Sequence, residues 1–138
     1  MIRGEVKGIR VDHEKVRRAV AAAAVEPVRK CGLLVERAAK TAMRRGGAFG
    51  RIGARGGYIR TASAPGTPPH VQKGALRASI QTAMTAQRHA VVGPTEKYGA
   101  VHEFGTRTHP QRAFMRPALR RTQRRFASQF KRLRLQGR

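Results

Sequence analysis

Acidic residues are scarce in this sequence: 7 Asp plus Glu stand against 30 Lys plus Arg in 138 residues, giving a formal net charge of +23. A chain with this imbalance repels itself and is attracted to polyanions. Nucleic acid is therefore the first class of partner to consider, ahead of anionic membranes and acidic protein surfaces. A basic face matched to an acidic neighbouring subunit would explain the same composition. Composition therefore restricts the charge of the partner but leaves its class open.

Cysteine and long apolar runs are also nearly absent. Cys31 is the only cysteine, which excludes an internal disulfide, and its place in an apolar helical repeat predicts a small buried side chain. No run approaches the roughly 18 apolar residues that would indicate a membrane span. The N-terminus contains Glu5 and lacks the apolar stretch of a secretory signal. These absences predict a protein made in the cytoplasm, with no membrane partner.

The signatures of catalysis are missing as well. No phosphate-binding loop of the form Gly-x-x-x-x-Gly-Lys-Ser/Thr occurs, and no histidine has a zinc-ligand spacing with cysteine partners. His102 stands beside Glu103 with His109 nearby, and we interpret the first two as hydrogen-bonding groups at a helix end rather than an acid–base or metal cluster. No nucleophile–base pair is supported by spacing alone. We predict no enzymatic activity, no cofactor and no bound metal.

The length predicts one domain over residues 1–138 with a modest core. Residues 1–10 indicate a short strand or arm. Asp12 can cap a first helix that continues to about Arg45, with Glu14 well placed in its first turn. Pro27 should kink this helix or split it in two, because it removes one backbone donor. The apolar positions of this helix are Val16, Val20, Ala23, Ala24, Val28, Cys31, Leu34, Val35, Ala38 and Ala42.

Residues 46–73 are rich in glycine, arginine and proline and predict a flexible loop. Arg51 and Arg55 lie among its glycines, where they could follow a phosphate backbone. The alternative is an insertion ordered only by neighbouring subunits. Beyond it, apolar and polar residues alternate over residues 76–85, and the segment 88–92 contains a second short strand-like run at Ala90, Val91 and Val92. We expect these two runs to pair as an antiparallel hairpin covered by the first helix, because a lone hairpin is marginal.

The most organised stretch is Tyr98-Gly-Ala-Val-His-Glu-Phe-Gly-Thr106. Tyr98, Val101 and Phe104 recur at a spacing of three, which predicts a short buried helix with Phe104 in the core and a left-handed cap at Gly105. Pro117 then suits the first position of a final helix over about residues 116–135. Its apolar stripe is Leu119, Gln123, Phe126, Phe130 and Leu133, and arginines cover the remaining surface. The predicted fold class is therefore α+β.

Two blocks of this sequence resemble a known family. The first is Tyr-x-x-x-x-Glu-Phe-Gly-Thr at residues 98–106, followed by Phe114-x-Arg116-Pro117-Ala-Leu. The second is Ser63-Ala-Pro-Gly-Thr-Pro-Pro69, followed by Gly74-Ala-Leu-Arg-Ala-Ser-Ile80. Together they are similar to the tail-completion or head–tail joining proteins of long-tailed double-stranded DNA bacteriophages, over roughly residues 63–120. Ala113 departs from the pattern, because such proteins usually have proline before the phenylalanine, and this loosens the predicted loop geometry.

The resemblance implies a structural protein of the virion neck, made in the host cytoplasm. Such a protein forms a homo-oligomeric ring, typically sixfold, between the head connector or adaptor and the tail terminator or tail tube, around double-stranded DNA that it binds without sequence specificity. The fold or interface residues implied by the motif are Tyr98, His102, Glu103, Phe104, Gly105, Thr106, Phe114, Arg116, Pro117, Pro65, Gly66, Gly74 and Leu76. The alternative is a general basic nucleic-acid-binding protein, as on the ribosome, although that class does not explain the two blocks.

Arginines are the candidates for contact with a polyanion or a protein partner. Those within or beside the two blocks are Arg77, Arg107, Arg112 and Arg116, which we expect to form interface salt bridges. Glu103 is the last acid in the chain, so the arginines that follow it have no nearby acid of their own. The candidate polyanion-facing set is Arg51, Arg55, Arg77, Arg107, Arg112, Arg120, Arg121, Arg124, Arg125 and Arg132.

Overall fold

A single long helix, α1 (His13–Ala42), is the element against which the hairpin of residues 80–94 and the C-terminal helices pack. In this computed structural model the described residues are 12–43, 50–52, 58–59, 62–71, 73–86 and 88–131. The predicted arm at residues 1–10 lies outside them. The predicted cap is confirmed, because the Asp12 carboxylate accepts a hydrogen bond from the Lys15 backbone N–H at 2.9 Å. The helix continues unbroken through Pro27, so the predicted possibility of two separate helices is wrong.

One face of α1 is buried, but it is not the whole face that the sequence predicted. Its buried residues are Ala24, Pro27, Gly32, Val35 and Ala39, and Met43 follows as the C-cap residue. Val16 and Val20 belong to the predicted apolar face, yet they are 47% and 38% exposed. The helix therefore packs on the rest of the domain mainly through its C-terminal half.

An antiparallel hairpin, β3 (Ile80–Ala86) and β4 (His89–Pro94), lies against α1, and this prediction is confirmed. The predicted start of the first strand is wrong, because the preceding residues form a short helix, α2 (Ala75–Ser79). Alternation begins only at Ile80, with Thr82 and Met84 facing inward. The Thr82 hydroxyl donates to the Glu36 carboxylate at 2.7 Å, and Lys40 binds the same carboxylate at 2.7 Å, which ties strand to helix.

The predicted loop over residues 46–73 contains regular structure. Two short strands, β1 (Gly50–Ile52) and β2 (Tyr58–Ile59), pair in antiparallel fashion as a separate sheet. Arg51 lies in β1, whereas Arg55 lies outside the described residues. The predicted loop therefore includes a short strand pairing that its composition did not indicate, because backbone hydrogen bonds can form a hairpin even among glycines.

The remaining elements are helical. They are α3 (Tyr98–Phe104), α4 (Met115–Thr122), a 3-10 turn (Gln123–Arg125) and α5 (Phe126–Phe130). The predicted final helix is therefore interrupted by a tighter turn, and its part beyond residue 131 lies outside the described residues. Ala118 and Thr122 are buried, but Leu119 and Phe130 of the predicted apolar stripe are 45% and 38% exposed.

The core lies where α1, the hairpin and α4 meet. Phe114 and Ile80 are its largest fully buried side chains, and Val35, Ala39, Met43 and Ala118 surround them. Gly99 brings α3 close to the end of β4, because a Cβ at that position would overlap the ring of Pro94. This close approach places α3 beside the core, and α3 carries the residues of the first motif block.

Candidate functional site

A buried carboxylate joins α3 to the start of α4. Glu103 is only 6% exposed, and its Oε2 accepts the backbone N–H of Phe114 at 2.8 Å and of Met115 at 2.9 Å. Its Oε1 accepts the backbone N–H of Arg116 at 3.0 Å and the Arg116 Nε at 3.3 Å. The first N–H groups of a helix have no partner within the helix, so Glu103 caps α4 from another helix. We name this arrangement the Glu103 cap.

Electrostatics favour a charged Glu103. Burial raises the pKa of the Glu103 carboxyl, but the N–H groups of Met115, Phe114 and Arg116 and the Arg116 guanidinium lower it, and the net pKa lies below its usual value. The carboxylate also faces the positive end of the α4 dipole. The predicted interpretation of Glu103 as a hydrogen-bonding group at a helix end is confirmed, but the helix end is that of α4 rather than its own.

The loop between the two helices turns sharply at Gly105. Its φ of 74° is in the region that favours glycine, but its ψ of 174° is extended, so the predicted left-handed helical cap is wrong in detail. A Cβ here would meet the Gln111 N at 3.0 Å and the His109 carbonyl O at 3.1 Å. Thr106 closes the turn, because its N–H donates to the His109 carbonyl at 2.8 Å. Only glycine fits this close approach of two backbone segments.

Two positions in the motif differ from the sequence prediction. Phe104 was expected in the core, but it is 68% exposed and lies under the Arg116 guanidinium, whose Cζ is 5.2 Å from the ring centroid. Phe114 is the buried aromatic instead, at 0% exposure.

Pro117 is the third residue of α4, because the helix begins at Met115. Proline is tolerated there, since the third N–H of a helix has no partner within it.

The two sequence blocks meet at one place in the structure. The Gly66 N–H donates to the Gln111 carbonyl at 2.8 Å, and the Arg112 Nε donates to the Ser63 carbonyl at 2.9 Å. Pro65 and Gly66 are exposed in the connecting turn, with Gly66 at a φ of 78°. Gly74, at a φ of 87°, precedes α2, and Leu76 of that helix packs at the edge of the core.

Sequence reasoning missed Gln111, whose side chain also donates to the Glu103 carbonyl at 2.8 Å.

The candidate arginines divide into two groups. Arg112 and Arg116 each contact groups of the same chain, the Ser63 carbonyl and Glu103, and their predicted interface salt bridges stay a prediction. The other candidate arginines within the described ranges are exposed, and none of them is in a described ion pair: Arg77, Arg107, Arg120, Arg121, Arg124 and Arg125. The Arg51 side chain, Arg55 and Arg132 lie outside the residues whose placement is described.

The exposed arginines of α4 and the turn after it form one surface, which we name the arginine face: Arg120, Arg121, Arg124 and Arg125. At about 100° per residue they cover an arc of roughly 140° beside the buried side of the helix. The sequence from Phe104 to Lys131 contains no acid that could pair with them. Because like charges at this spacing repel, a polyanion or an acidic partner would stabilise the face.

Other candidate chemistry is not assembled in the described part of the chain. Within residues 12–131, less the gaps given above, no group of three His, Cys, Asp or Glu side chains could hold a metal ion. The helices described there include none with the length and apolar character to cross a membrane. Cys31 is half-buried rather than fully buried, and burial raises the pKa of its thiol, which disfavours the reactive thiolate.

Comparison of the chain with protein-family models, with curated proteins and with solved structures gives no match. Its function must therefore be argued from its own residues.

The environment of His102 gives a testable pH dependence. Burial lowers the pKa of His102, and the charges of Arg112 and His109 lower it further, so the folded protein binds fewer protons than the unfolded chain below the ordinary histidine pKa. Stability is then complete above about pH 6.5 and falls as the pH drops towards the lowered value. We expect His102→Gln to flatten this dependence in thermal melts recorded from about pH 8 down to about pH 5.

The matched control is His13→Gln, an exposed histidine at the start of α1. The control should keep the pH dependence of the wild type. An equal slope in wild type and His102→Gln would contradict the assigned burial of the imidazole.

Proposed function

We propose that this protein is a structural component of the neck of a long-tailed double-stranded DNA bacteriophage. In this role it forms a homo-oligomeric ring, sixfold in the simplest case, between the head connector or adaptor and the tail terminator or tail tube. The ring surrounds the passage for DNA, and its contact with DNA is independent of sequence. The protein has no catalytic role in this proposal, and it acts in the virion.

The observation that supports this proposal most directly is the joining of the two motif blocks. The residues that carry the resemblance are far apart in the sequence, yet the Ser63–Arg112 and Gly66–Gln111 hydrogen bonds connect them. The Glu103 cap accounts for the glutamate of the first block and for the Phe-x-Arg segment that follows it. The residues that carry the resemblance therefore contact one another in the fold, which supports the proposal.

The charge distribution supports a polyanion or an acidic ring as the neighbour. The arginine face is exposed and has no acidic partner in the described ranges. Three of the four described ion pairs lie within α1 instead. DNA in a channel and an acidic surface at a subunit interface would both stabilise the arginine face, because each brings fixed negative charge within a Debye length of about 10 Å.

The first experiment is a light-scattering measurement of the mass of the purified protein across a salt series, with and without duplex DNA. A ring-sized species, or a monomer that binds DNA weakly and equally across unrelated sequences, agrees with the proposal. Binding that is tight at physiological salt and restricted to one RNA or DNA sequence would contradict it and favour the general nucleic-acid-binding alternative.

Charge reversal tests the arginine face itself. We expect Arg120→Glu, Arg124→Glu and Arg125→Glu together to leave the fold intact but to weaken DNA binding and reduce the slope of log affinity against log salt by about 3, or roughly one per lost phosphate contact. Affinity is measured by fluorescence anisotropy with duplex DNA. In the virion, we expect loss of infectious particles.

A matched triple variant on α1 controls for net charge: Lys15→Glu, Lys30→Glu and Arg37→Glu change exposed residues and lower the net charge equally. If the two triple variants bind DNA equally, binding depends on total charge and the assignment to the arginine face fails. Normal particle production by the arginine-face variant would contradict its role in assembly.

A further inference from the structure

The motif blocks enclose a recessed cavity of about 290 Å³ between the end of α1, the Ser63 segment, α2 and α3. Three of its lining residues are cationic: Lys73, Arg77 and Arg112. Among the described residues that line it, none is acidic. The cavity is therefore electropositive. The Arg112 backbone N–H donates to the His102 carbonyl at 2.8 Å, which holds the Arg112 backbone beside α3.

One of the residues that line this cavity, Ser63, has an unpartnered hydroxyl. Ser63 is 3% exposed, and its Oγ is the buried side-chain polar atom without a hydrogen-bond partner within the described residues. A buried hydroxyl without a partner costs free energy, and a ligand that accepts a hydrogen bond removes that cost. The Ser63 carbonyl also holds the Arg112 Nε at 2.9 Å, so the hydroxyl and the guanidinium belong to neighbouring groups with fixed positions.

The Arg112 guanidinium is held in position and has donors available for such a ligand. Its Nε is engaged with the Ser63 carbonyl, and no described hydrogen bond or ion pair uses its two terminal nitrogens. A guanidinium that is fixed at one nitrogen loses little entropy when its other nitrogens bind an oxyanion. Lys73 and Arg77 are exposed at the same cavity and have no described ion pair, so they can add charge without breaking an existing contact.

The shape of the cavity selects among anions. A duplex presents its phosphates on a broad convex surface, which does not fit into a recess of about 290 Å³. Met43, Pro69 and Leu76 contribute apolar lining, which suits a short hydrocarbon stem beneath the charged group. We propose that this cavity is a carboxylate-binding site, and that it takes a glutamate or aspartate side chain, or a C-terminal carboxylate, from an acidic segment of a partner protein.

The site is a property of the isolated chain and goes beyond ring formation and DNA contact. It can therefore be tested without assembly, and its failure would leave the proposed neck role standing. The probe is the blocked peptide acetyl-Ala-Glu-Ala-amide, titrated into the full chain and followed by calorimetry and by the NMR signals of the His102 ring. We expect saturable binding and a raised His102 pKa in the complex, because a carboxylate nearby favours the imidazolium.

Three comparisons decide the result. The peptide acetyl-Ala-Gln-Ala-amide should bind at least about tenfold more weakly, because it lacks the charge. Lys73→Gln with Arg77→Gln should weaken the glutamate peptide by a similar factor without changing the melting temperature, whereas the exposed Arg107→Gln, outside the cavity, should not. Ser63→Ala should also weaken binding of the glutamate peptide.

Equal affinity for the two peptides, or binding unaffected by the cavity variants, would overturn the proposal. Inorganic phosphate is the alternative oxyanion to be tested against the same cavity. If phosphate saturates the site and the glutamate peptide does not, the carboxylate assignment is wrong. If glutarate binds as tightly as the peptide, the carboxylate chemistry stands but the assignment to a protein segment is wrong.

Discussion

Replacing Glu103 with alanine is expected to lower the free energy of unfolding by roughly 3–5 kcal/mol, as the loss of one partner from a buried charged network does. The carboxylate is the partner of three backbone N–H groups at the start of α4, on Phe114, Met115 and Arg116. Each buried donor left without a partner costs about 1–3 kcal/mol. Because a domain is stable by only about 5–15 kcal/mol, this variant should unfold in much milder urea than the wild type.

Glu96→Ala is the matched control, because Glu96 is exposed seven positions earlier in the chain. It should change the free energy of unfolding by less than about 0.5 kcal/mol. If Glu103→Ala and Glu96→Ala unfold at the same denaturant concentration, the Glu103 cap does not stabilise the fold.

Acid provides a second test of the same group. The folded-state pKa of Glu103 is lowered, so its stabilising contribution is fully present above the unfolded pKa of about 4.3 and is lost as the pH falls through the lowered value. Glu103→Gln should be less stable than the wild type at neutral pH, and the gap should narrow in acid. A gap that stays constant below about pH 4 would contradict the assigned charge.

Phe114→Ala is expected to destabilise the protein by about 3–5 kcal/mol, the usual cost of truncating a buried phenylalanine. Phe114 is fully buried in the core with Ile80, Val35 and Ala118, and its removal leaves a cavity that the surrounding helices cannot fill without moving. Urea unfolding followed by circular dichroism measures the effect.

Phe104→Ala is the matched control, the same substitution ten residues earlier. Phe104 is 68% exposed and loses only its contact with the Arg116 guanidinium, worth about 0.5–1 kcal/mol at an exposed site. The sequence pattern had placed Phe104 in the core, so the pair of variants separates the two assignments. A larger loss for Phe104→Ala than for Phe114→Ala would restore the assignment made from the sequence.

The exposed Phe104 side chain is also a candidate contact between subunits of the proposed homo-oligomer. Phe104 and Tyr98, which is 41% exposed, are both exposed aromatics, a residue type enriched at protein interfaces. If Phe104 lies at a subunit interface, Phe104→Ala should spare the monomer and lower the mass measured by light scattering.

The sequence by itself determined the features that depend on near neighbours in the chain. Asp12 caps α1 because the group it binds is three residues away, and the apolar repeat from Ala24 to Val35 specifies a helix with one buried side. The hairpin was predictable for the same reason, since its two strands are joined by a short turn. The surplus of positive charge required no structure at all.

Only the tertiary structure decided which residues of α3 point inward. A helix of seven residues makes barely two turns, so its apolar spacing fits more than one buried face, and the close approach at Gly99 selects the face that carries Glu103 and excludes Phe104. The carboxylate is buried because the free N–H groups of α4 arrive at that side from eleven or more residues away. A hydrophobicity pattern treats glutamate as a surface residue, since the donors that make its burial favourable are brought to it only by the folded chain.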